Sequence, residues 1–190
     1  MKKTFYLMRH GQTLFNLRRK IQGACDSPLT ELGIKQAQVA GEYFKDIPLD
    51  HAYSSTSERC CDTLEIITDN RLPYIRLKGL KEMNFGIFEG ESEDLNPKDK
   101  EVFGTFFLAY GGESRQMVRK RMVKTCTEIM EKEDHEVVLA VSHGGACFHF
   151  LTEWQDSMEE LKKGFTNCCI FKYEYEDKKF KLVEVIRHNI

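Results

Sequence analysis

Four prolines, thirteen glycines and a single tryptophan in 190 residues are too few for a collagen-like repeat or a long low-complexity segment. No internal repeat is visible. Uninterrupted apolar runs all fall short of membrane-spanning length, and the MKK start meets too few apolar residues before Arg9 to form a signal h-region. A cytoplasmic protein without a membrane partner is therefore expected. Neither charge sign is in excess, the formal net charge being −2, so no global basic field exists to gather nucleic acid. A small molecule met in a locally charged pocket is the expected partner, with the oligomeric state open between monomer and homodimer. The seven cysteines contain no C-x-x-C pair: Cys60-Cys61 and Cys168-Cys169 are adjacent, and Cys25, Cys126 and Cys147 are scattered. That spacing suits reduced core thiols better than a disulfide framework or a zinc site, so no metal is expected.

What remains is an ordinary globular composition long enough to bury about 70% of the unfolded surface around one core. One domain over residues 1–190 is expected. Thr4 to Met8 reads as a buried strand that delivers Arg9, His10 and Gly11 into a polar turn. In an open α/β sheet the carboxyl ends of strands border the ligand crevice, which makes a cation and a titratable imidazole there candidates for chemistry. A loop follows with Asn16, the basic cluster Arg18 to Lys20, Gln22-Gly23 and the turn at Asp26, Ser27 and Pro28. Thr30 then caps a helix whose Gly33, Ala37, Ala40 and Phe44 share one face and which ends near Lys45.

Leu49 to Ser54 predicts a short strand, and Ser55 with Glu58 has the spacing of a capping box before a helix striped by Cys60, Leu64 and Ile67. Arg59 falls in the first turn of that helix, where it opposes the macrodipole. Either it faces solvent or an anion lies between the two, as at helix N-termini that hold phosphate. A third strand is expected over Leu72 to Leu77, followed by an irregular stretch carrying Glu82. The aromatic segment from Asn96 to Tyr110 suggests a helical cover, broken at Gly111-Gly112. Ser114 caps the next helix, with Val118, Met122, Thr125 or Cys126, and Ile129 as its stripe. Glu136 to Ser142 is the clearest central strand and ends in SHGG, so His143 repeats the strand-turn-helix setting of His10 before a helix from Ala146 to Trp154. Cys168 to Tyr175 and Lys179 to Arg187 read as an antiparallel edge hairpin around Asp177-Lys178.

LMRHGQT, IQGACDSPLTELGIKQA, YSSTSERCCDTLEII, LKEMNFGIFEG, GGES, VLAVSHGG and NCCIFKYEY, in this order, resemble the histidine phosphatase superfamily, whose best-known branch is the cofactor-dependent phosphoglycerate mutases. The resemblance implies a phosphoglycerate mutase-like α/β fold, a three-layer α/β/α sandwich with a mostly parallel sheet and an antiparallel C-terminal edge. It implies His10 as a nucleophile that becomes phosphohistidine, with Arg9 and Arg59 clamping the phosphoryl oxygens and His143 donating to the same oxygens. Asn16, Gln22, Gly23 and the backbone at Gly144 match positions that add neutral donors, although Ala24 replaces the aromatic residue that commonly follows Gly23. Glu82 resembles the general acid that protonates the leaving alcohol and then activates water.

No metal or nucleotide cofactor is implied, and the substrate class is a small phosphorylated metabolite. Mutases of this type carry a longer, basic insertion after the Glu82 region. Here the cover segment around 88–111 is short, acidic at Glu89, Glu91, Glu93 and Asp94, and aromatic beyond. A phosphomonoesterase is therefore expected before a mutase or a non-catalytic phospholigand-binding domain, with Phe103, Phe106, Phe107 and Tyr110 either walling the leaving-group side or, for two or three of the four, forming the core of a cover helix. Lys98 and Lys100 stand against this, since either can meet a carboxylate.

Overall fold

Six strands form one sheet in the order β3-β2-β4-β1-β5-β6 in the computed structural model, which describes residues 1–188 and 190. The strands are β1 (Lys3–Arg9), β2 (His51–Ser55), β3 (Tyr74–Leu77), β4 (Val137–Ser142), β5 (Ile170–Glu176) and β6 (Lys179–Ile186). Strands β1 to β4 pair in parallel, and β5 joins β1 and β6 antiparallel. The turn at Asp177 and Lys178 has positive φ at both residues, as a two-residue hairpin demands.

Alternation along β1 sends its side chains to both faces. Phe5 and Leu7 enter one core with Val138, Ala140, Phe171 and Tyr173, while Tyr6 and Met8 enter the other with Leu139, Val141 and Ile170. Helices α2 (Glu31–Phe44) and α3 (Glu58–Thr68) cover the Tyr6 face with Ala37, Ala40, Phe44, Cys60, Leu64 and Ile67. Helices α5 (Arg115–Met130) and α6 (Gly144–Trp154) cover the other, α5 through Val118, Met122, Cys126 and Ile129. Each fully buried side chain of this size contributes about 1.5–3 kcal/mol relative to exposure. Thr30 and Ser114 cap their helices as expected, accepting from the Gly33 and Met117 amides. Among the described residues no helix is long and apolar enough to cross a membrane.

Several local expectations are corrected. The loop after the first turn holds a one-turn helix, α1 (Leu14–Leu17), closed by a capping box in which Asn16 takes the place of the usual Glu or Gln opposite Thr13. Ser55 does not cap α3: the N-cap is Ser57, whose side chain makes no cap bond, and the Glu58 amide is taken by Asp26 Oδ2 at 2.6 Å. The cover segment is broken into a 3-10 turn (Glu93–Leu95), the short helix α4 (Lys100–Phe106) and a second 3-10 turn (Phe107–Tyr110) ended by Gly111 at φ +79°. Helix α7 (Met158–Lys163) has no counterpart in the sequence pattern because it buries no residue.

Candidate active site

Parallel pairing sets Arg9 opposite Ser142, so β1 and β4 release His10 and His143 side by side at the same sheet edge. Their rings meet edge to face at 5.3 Å. Backbone bonds hold His10 on both flanks: its amide donates to Ser142 O at 3.1 Å, and its carbonyl accepts from the Cys168 amide and Asn167 Nδ2. Gly11 is required beside it, since a Cβ there would lie 2.5 Å from the Gly33 carbonyl oxygen.

The His10 tautomer follows from its neighbours. Nδ1 lies 2.7 Å from Gly11 O, which can only accept, so Nδ1 carries the proton and Nε2 presents a lone pair. Burial, then the charges of Arg59 and Arg9, push the His10 pKa well below its ordinary value of 6.5. The imidazole therefore stays neutral and nucleophilic.

Arg59, expected either at the surface or at an anion, is fully buried. Its Nε donates to His10 Nε2 at 3.3 Å, and one terminal nitrogen reaches Asp26 Oδ1 at 2.8 Å and Cys25 O at 2.9 Å. The other donates to Gly23 O at 3.1 Å and to His143 Nδ1 at 2.9 Å. Guanidinium only donates, so His143 Nδ1 accepts and its Nε2–H donates to Ser55 Oγ at 2.8 Å. Burial, followed by Arg59, lowers the His143 pKa well below 6.5.

A cavity of about 360 Å³ opens over this edge, lined by Arg9, His10, Asn16, Gln22, Glu82 and Gly144 at its polar end. Arg9 donates to Phe165 O at 2.6 Å, and its buried Nε has no partner among the described residues. A Cβ at Gly144 would come within 3.2 Å of that Nε, so glycine lets the guanidinium lie across the start of α6. Glu82 faces it, its Oε2 accepting the Gly145 amide and its Oε1 the Met83 amide, each at 2.9 Å. Arg121 grips the Glu82 carbonyl at 2.9 Å while paired with Glu113. Asn16 is oriented through Oδ1, which accepts from the Thr13 amide and from Asn167. Gln22 is held by Thr13 and Ser27.

Of the nine residues expected at the site, Arg9, His10, Asn16, Gln22, Glu82 and Gly144 line the cavity, while Arg59, His143 and Gly23 lie outside its lining. Gly23 faces away: its amide donates to Glu89 Oε2 at 3.0 Å, and a Cβ there would run into the Met83 carbonyl. Glu89 likewise does not charge the cleft. Its carboxylate accepts the amides of Gly23, Ala24, Cys25 and Phe85; burial raises its pKa, but the Cys25 thiol and the Phe85, Ala24 and Cys25 amides outweigh this and hold it below the usual range. Asp26 and Glu89 went unrecognised because a loop carboxylate that ties down amides leaves no periodic signal.

Of the two readings of the aromatic segment, the structure bears out core packing rather than a wall. Phe103, Phe106, Phe107 and Tyr110 are not in the lining; they pack behind Phe85 and Phe88, with Phe107 4.8 Å from the Phe85 ring. The apolar end consists of Ile21, Phe85, Phe148, Leu161 and Phe165, with Lys20, Glu93 and Asn96 as its polar groups. Arg19 pairs with Glu93 and Asp94, and Lys98 and Lys100 do not reach the cavity.

The chain as a whole matches known proteins. Residues 5–187 fit the family model of the histidine phosphatase superfamily, branch 1. The chain is 30% identical over 178 residues to the uncharacterized phosphatase PhoE of Bacillus subtilis, covering 93% of this chain and 90% of that one. It is 33% identical over 182 residues to the probable phosphoglycerate mutase GpmB of Proteus mirabilis, covering 90% and 85%. Bacillus stearothermophilus YhfR superposes with a TM-score of 0.82 at 29% identity over 95% of both chains. Entamoeba histolytica phosphoserine phosphatase, solved with 3-phosphoglyceric acid, gives 0.82 at 26% identity over 97% of both. With a phosphoglycerate mutase-like sheet and relatives that include both phosphatases and mutases, the chain belongs to branch 1 of the histidine phosphatase superfamily.

Proposed function

We propose that this protein is a phosphomonoesterase that works through a phosphohistidine on His10. The observation that carries this reading is the His10 Nε2 lone pair, set by the Gly11 carbonyl on Nδ1, on a residue that lines the polar end of the cavity with the Arg9 Nε, which has no partner among the described residues. Arg59 Nε, which donates to Nε2 at 3.3 Å, must release it for attack. The Nε2 lone pair attacks phosphorus, the bond to the ester oxygen breaks, and Glu82 gives that oxygen its proton. Water then attacks the phosphohistidine, Glu82 takes a proton from it, and neutral His10 returns with inorganic phosphate. Splitting a reaction among the slowest uncatalysed in water into two displacements lowers each barrier.

Arg9, the Asn16 amide and the α6 N-terminus at Gly144 supply donors for the phosphoryl oxygens, whose charge grows in the transition state. Arg59 and His143 stand behind them. His143 holds Arg59 through Nδ1, the donor-only guanidinium sets its tautomer, and its Nε2–H is then taken by Ser55. Gln22 orients the wall through Thr13, and Gly23 supports Arg59 through its carbonyl.

The outer cavity favours hydrolysis over mutase chemistry. A mutase must hold a doubly anionic glycerate and shield the phosphoenzyme until the product turns over. Here, among the described residues, the lining of the outer end holds one cation, Lys20, together with Asn96, five apolar side chains and Glu93, which Arg19 pairs. An apolar wall of this kind stabilises a hydrophobic or aromatic leaving group by about 1–3 kcal/mol. Competing 3-phosphoglycerate against an aryl phosphate in chelator, with both phosphate release and 2-phosphoglycerate formation followed, tests the proposal. Phosphate release with the higher kcat/KM for the aryl ester is expected. Efficient isomerisation would restore the mutase reading, and binding without turnover would restore a phospholigand-binding domain.

A further inference from the structure

The sheet edge opposite the cleft carries a second cluster of titratable side chains, which phosphoryl transfer does not use. His51 opens β2, Asp134 and His135 lie in the turn before β4, and the two strands are neighbours, with His51 opposite Val138. One donor atom from each of the three lies within 4.8 Å of the others. His51 Nε2 is 3.2 Å from Asp134 Oδ2, and His135 Nδ1 is 2.8 Å from Asp134 Oδ1. Two ligands bound to one tetrahedral zinc at ordinary bond lengths lie about 3.3 Å apart, so these separations are close to those of a coordination polyhedron. The two rings stack at 3.6 Å, which sets both edges toward the same carboxylate.

The ring nitrogens turned away from Asp134 are also partnered. His51 Nδ1 lies 2.8 Å from Asp50 Oδ1, and Asp50 is itself fixed by the Glu136 and Val137 amides at 2.9 and 2.6 Å. His135 Nε2 lies 2.7 Å from the Tyr53 hydroxyl, which Lys132 Nζ approaches at 2.9 Å. A carboxylate or hydroxyl on the far nitrogen is how proteins orient an imidazole that binds a metal with its near one. A neutral His51 that donates to Asp50 leaves its Nε2 lone pair against the Asp134 carboxylate. A second ring proton or a bound cation turns that contact into attraction, and a cation also draws in His135.

We propose that His51, Asp134 and His135 bind a divalent cation of the zinc class at a site separate from the phosphoryl cleft. Two imidazoles and one carboxylate suit zinc, cobalt or nickel and do not suit calcium or magnesium, which take oxygen ligands. Three protein ligands leave a fourth position for water, and Asp134, with 73% of its side chain exposed, gives the ion a way in. The bound cation clips the start of β2 to the turn before β4. Cysteine spacing gives no hint of this site, since its ligands meet only through strand pairing.

The test is titration of the full-length, chelator-stripped protein with zinc by calorimetry, repeated with cobalt and followed by absorption. One equivalent is expected to bind, with cobalt bands of nitrogen and oxygen ligation and no thiolate charge-transfer band. Asp134→Asn and His51→Ala should abolish stoichiometric uptake. Asp50→Asn, which touches no metal, should weaken it by about 10–100-fold. Unchanged circular dichroism and unchanged phosphate release in all three variants confirm that they are folded. Absence of stoichiometric binding overturns the proposal, as does uptake that survives both Asp134→Asn and His51→Ala, which would place the ion on thiols or on the cleft histidines.

Discussion

Asp26 holds Arg59 with one carboxylate oxygen, 2.8 Å from its terminal nitrogen, and the helix that carries Arg59 with the other, 2.6 Å from the Glu58 amide. Arg59 is fully buried but Asp26 is partly exposed, and Cys25 O, Gly23 O and His143 still accept from the guanidinium when Asp26 is removed. Asp26→Ala is expected to cost about 1.5–3 kcal/mol of stability, the worth of a hydrogen bond to a charged group, and to weaken inhibition by phosphate or vanadate. Asp26→Asn, which keeps an acceptor for the helix amide, should lose less. Denaturant midpoints and inhibition constants measure the two effects, and an alanine variant as stable as wild type would show that water already solvates Arg59.

His10 should carry the phosphoryl group during turnover. Rapid mixing with labelled substrate is expected to give a base-stable, acid-labile label that His10→Ala lacks. Because burial, Arg59 and Arg9 keep this imidazole neutral well below pH 6.5, kcat/KM should show no loss at that pH from protonation of the nucleophile. A label retained in His10→Ala removes the residue from the chemistry.

Glu82→Gln should abolish most activity on alkyl phosphates and less on p-nitrophenyl phosphate, whose leaving group needs little protonation. Gly145→Ala should show the same asymmetry, since the added Cβ falls 2.7 Å from Glu82 Oε1 and displaces the carboxylate from the helix start. Equal losses on both esters in both variants would reduce Glu82 to a shape-determining role.

Acid should destabilise the fold through its buried histidines. His10, His143 and His149 all have pKa values below 6.5 in the native state, that of His149 being lowered to about 4 by burial and then by Arg115. Unfolding therefore takes up protons below pH 6.5, so stability is full above that pH and falls beneath it. The slope is about 1.4 kcal/mol per pH unit for each histidine. His149→Gln is expected to remove one such slope between pH 6.5 and about 4, as read from denaturant midpoints across that range. An unchanged slope would show that His149 is solvated.

The strands and capped helices were legible because each carries a local signal: a continuous apolar run in β4, a Thr or Ser before α2 and α5, a two-residue turn between β5 and β6. Those runs also placed His10 and His143 at one edge. The supports of the site were not legible. Asp26 meets Arg59 across the loop, Glu89 folds back onto the 23–25 amides, and Ser55 serves His143 rather than its own helix. Each works through backbone or side-chain geometry that no periodicity records. The Phe103 to Tyr110 run left two readings open for a related reason, since an aromatic cluster announces burial without saying which neighbour it buries against; here the neighbours are Phe85 and Phe88, of which Phe85 lines the cavity.

Strand β1 pairs with β4 on one side and β5 on the other, and Arg9 donates to a carbonyl 156 positions later. On the ribosome, β1 therefore emerges long before either neighbour exists, a wait of roughly ten seconds at about 5–20 residues per second. Throughout that interval Phe5, Tyr6, Leu7 and Met8 form an apolar strand with both edges open, the kind of segment that recruits strands from other chains. The strand that delivers Arg9 and His10 to the cleft is thus also an aggregation-prone segment of the nascent chain. Fragments that stop short of β4 should accumulate as inclusion bodies or chaperone complexes, with no phosphate-binding activity to select for them.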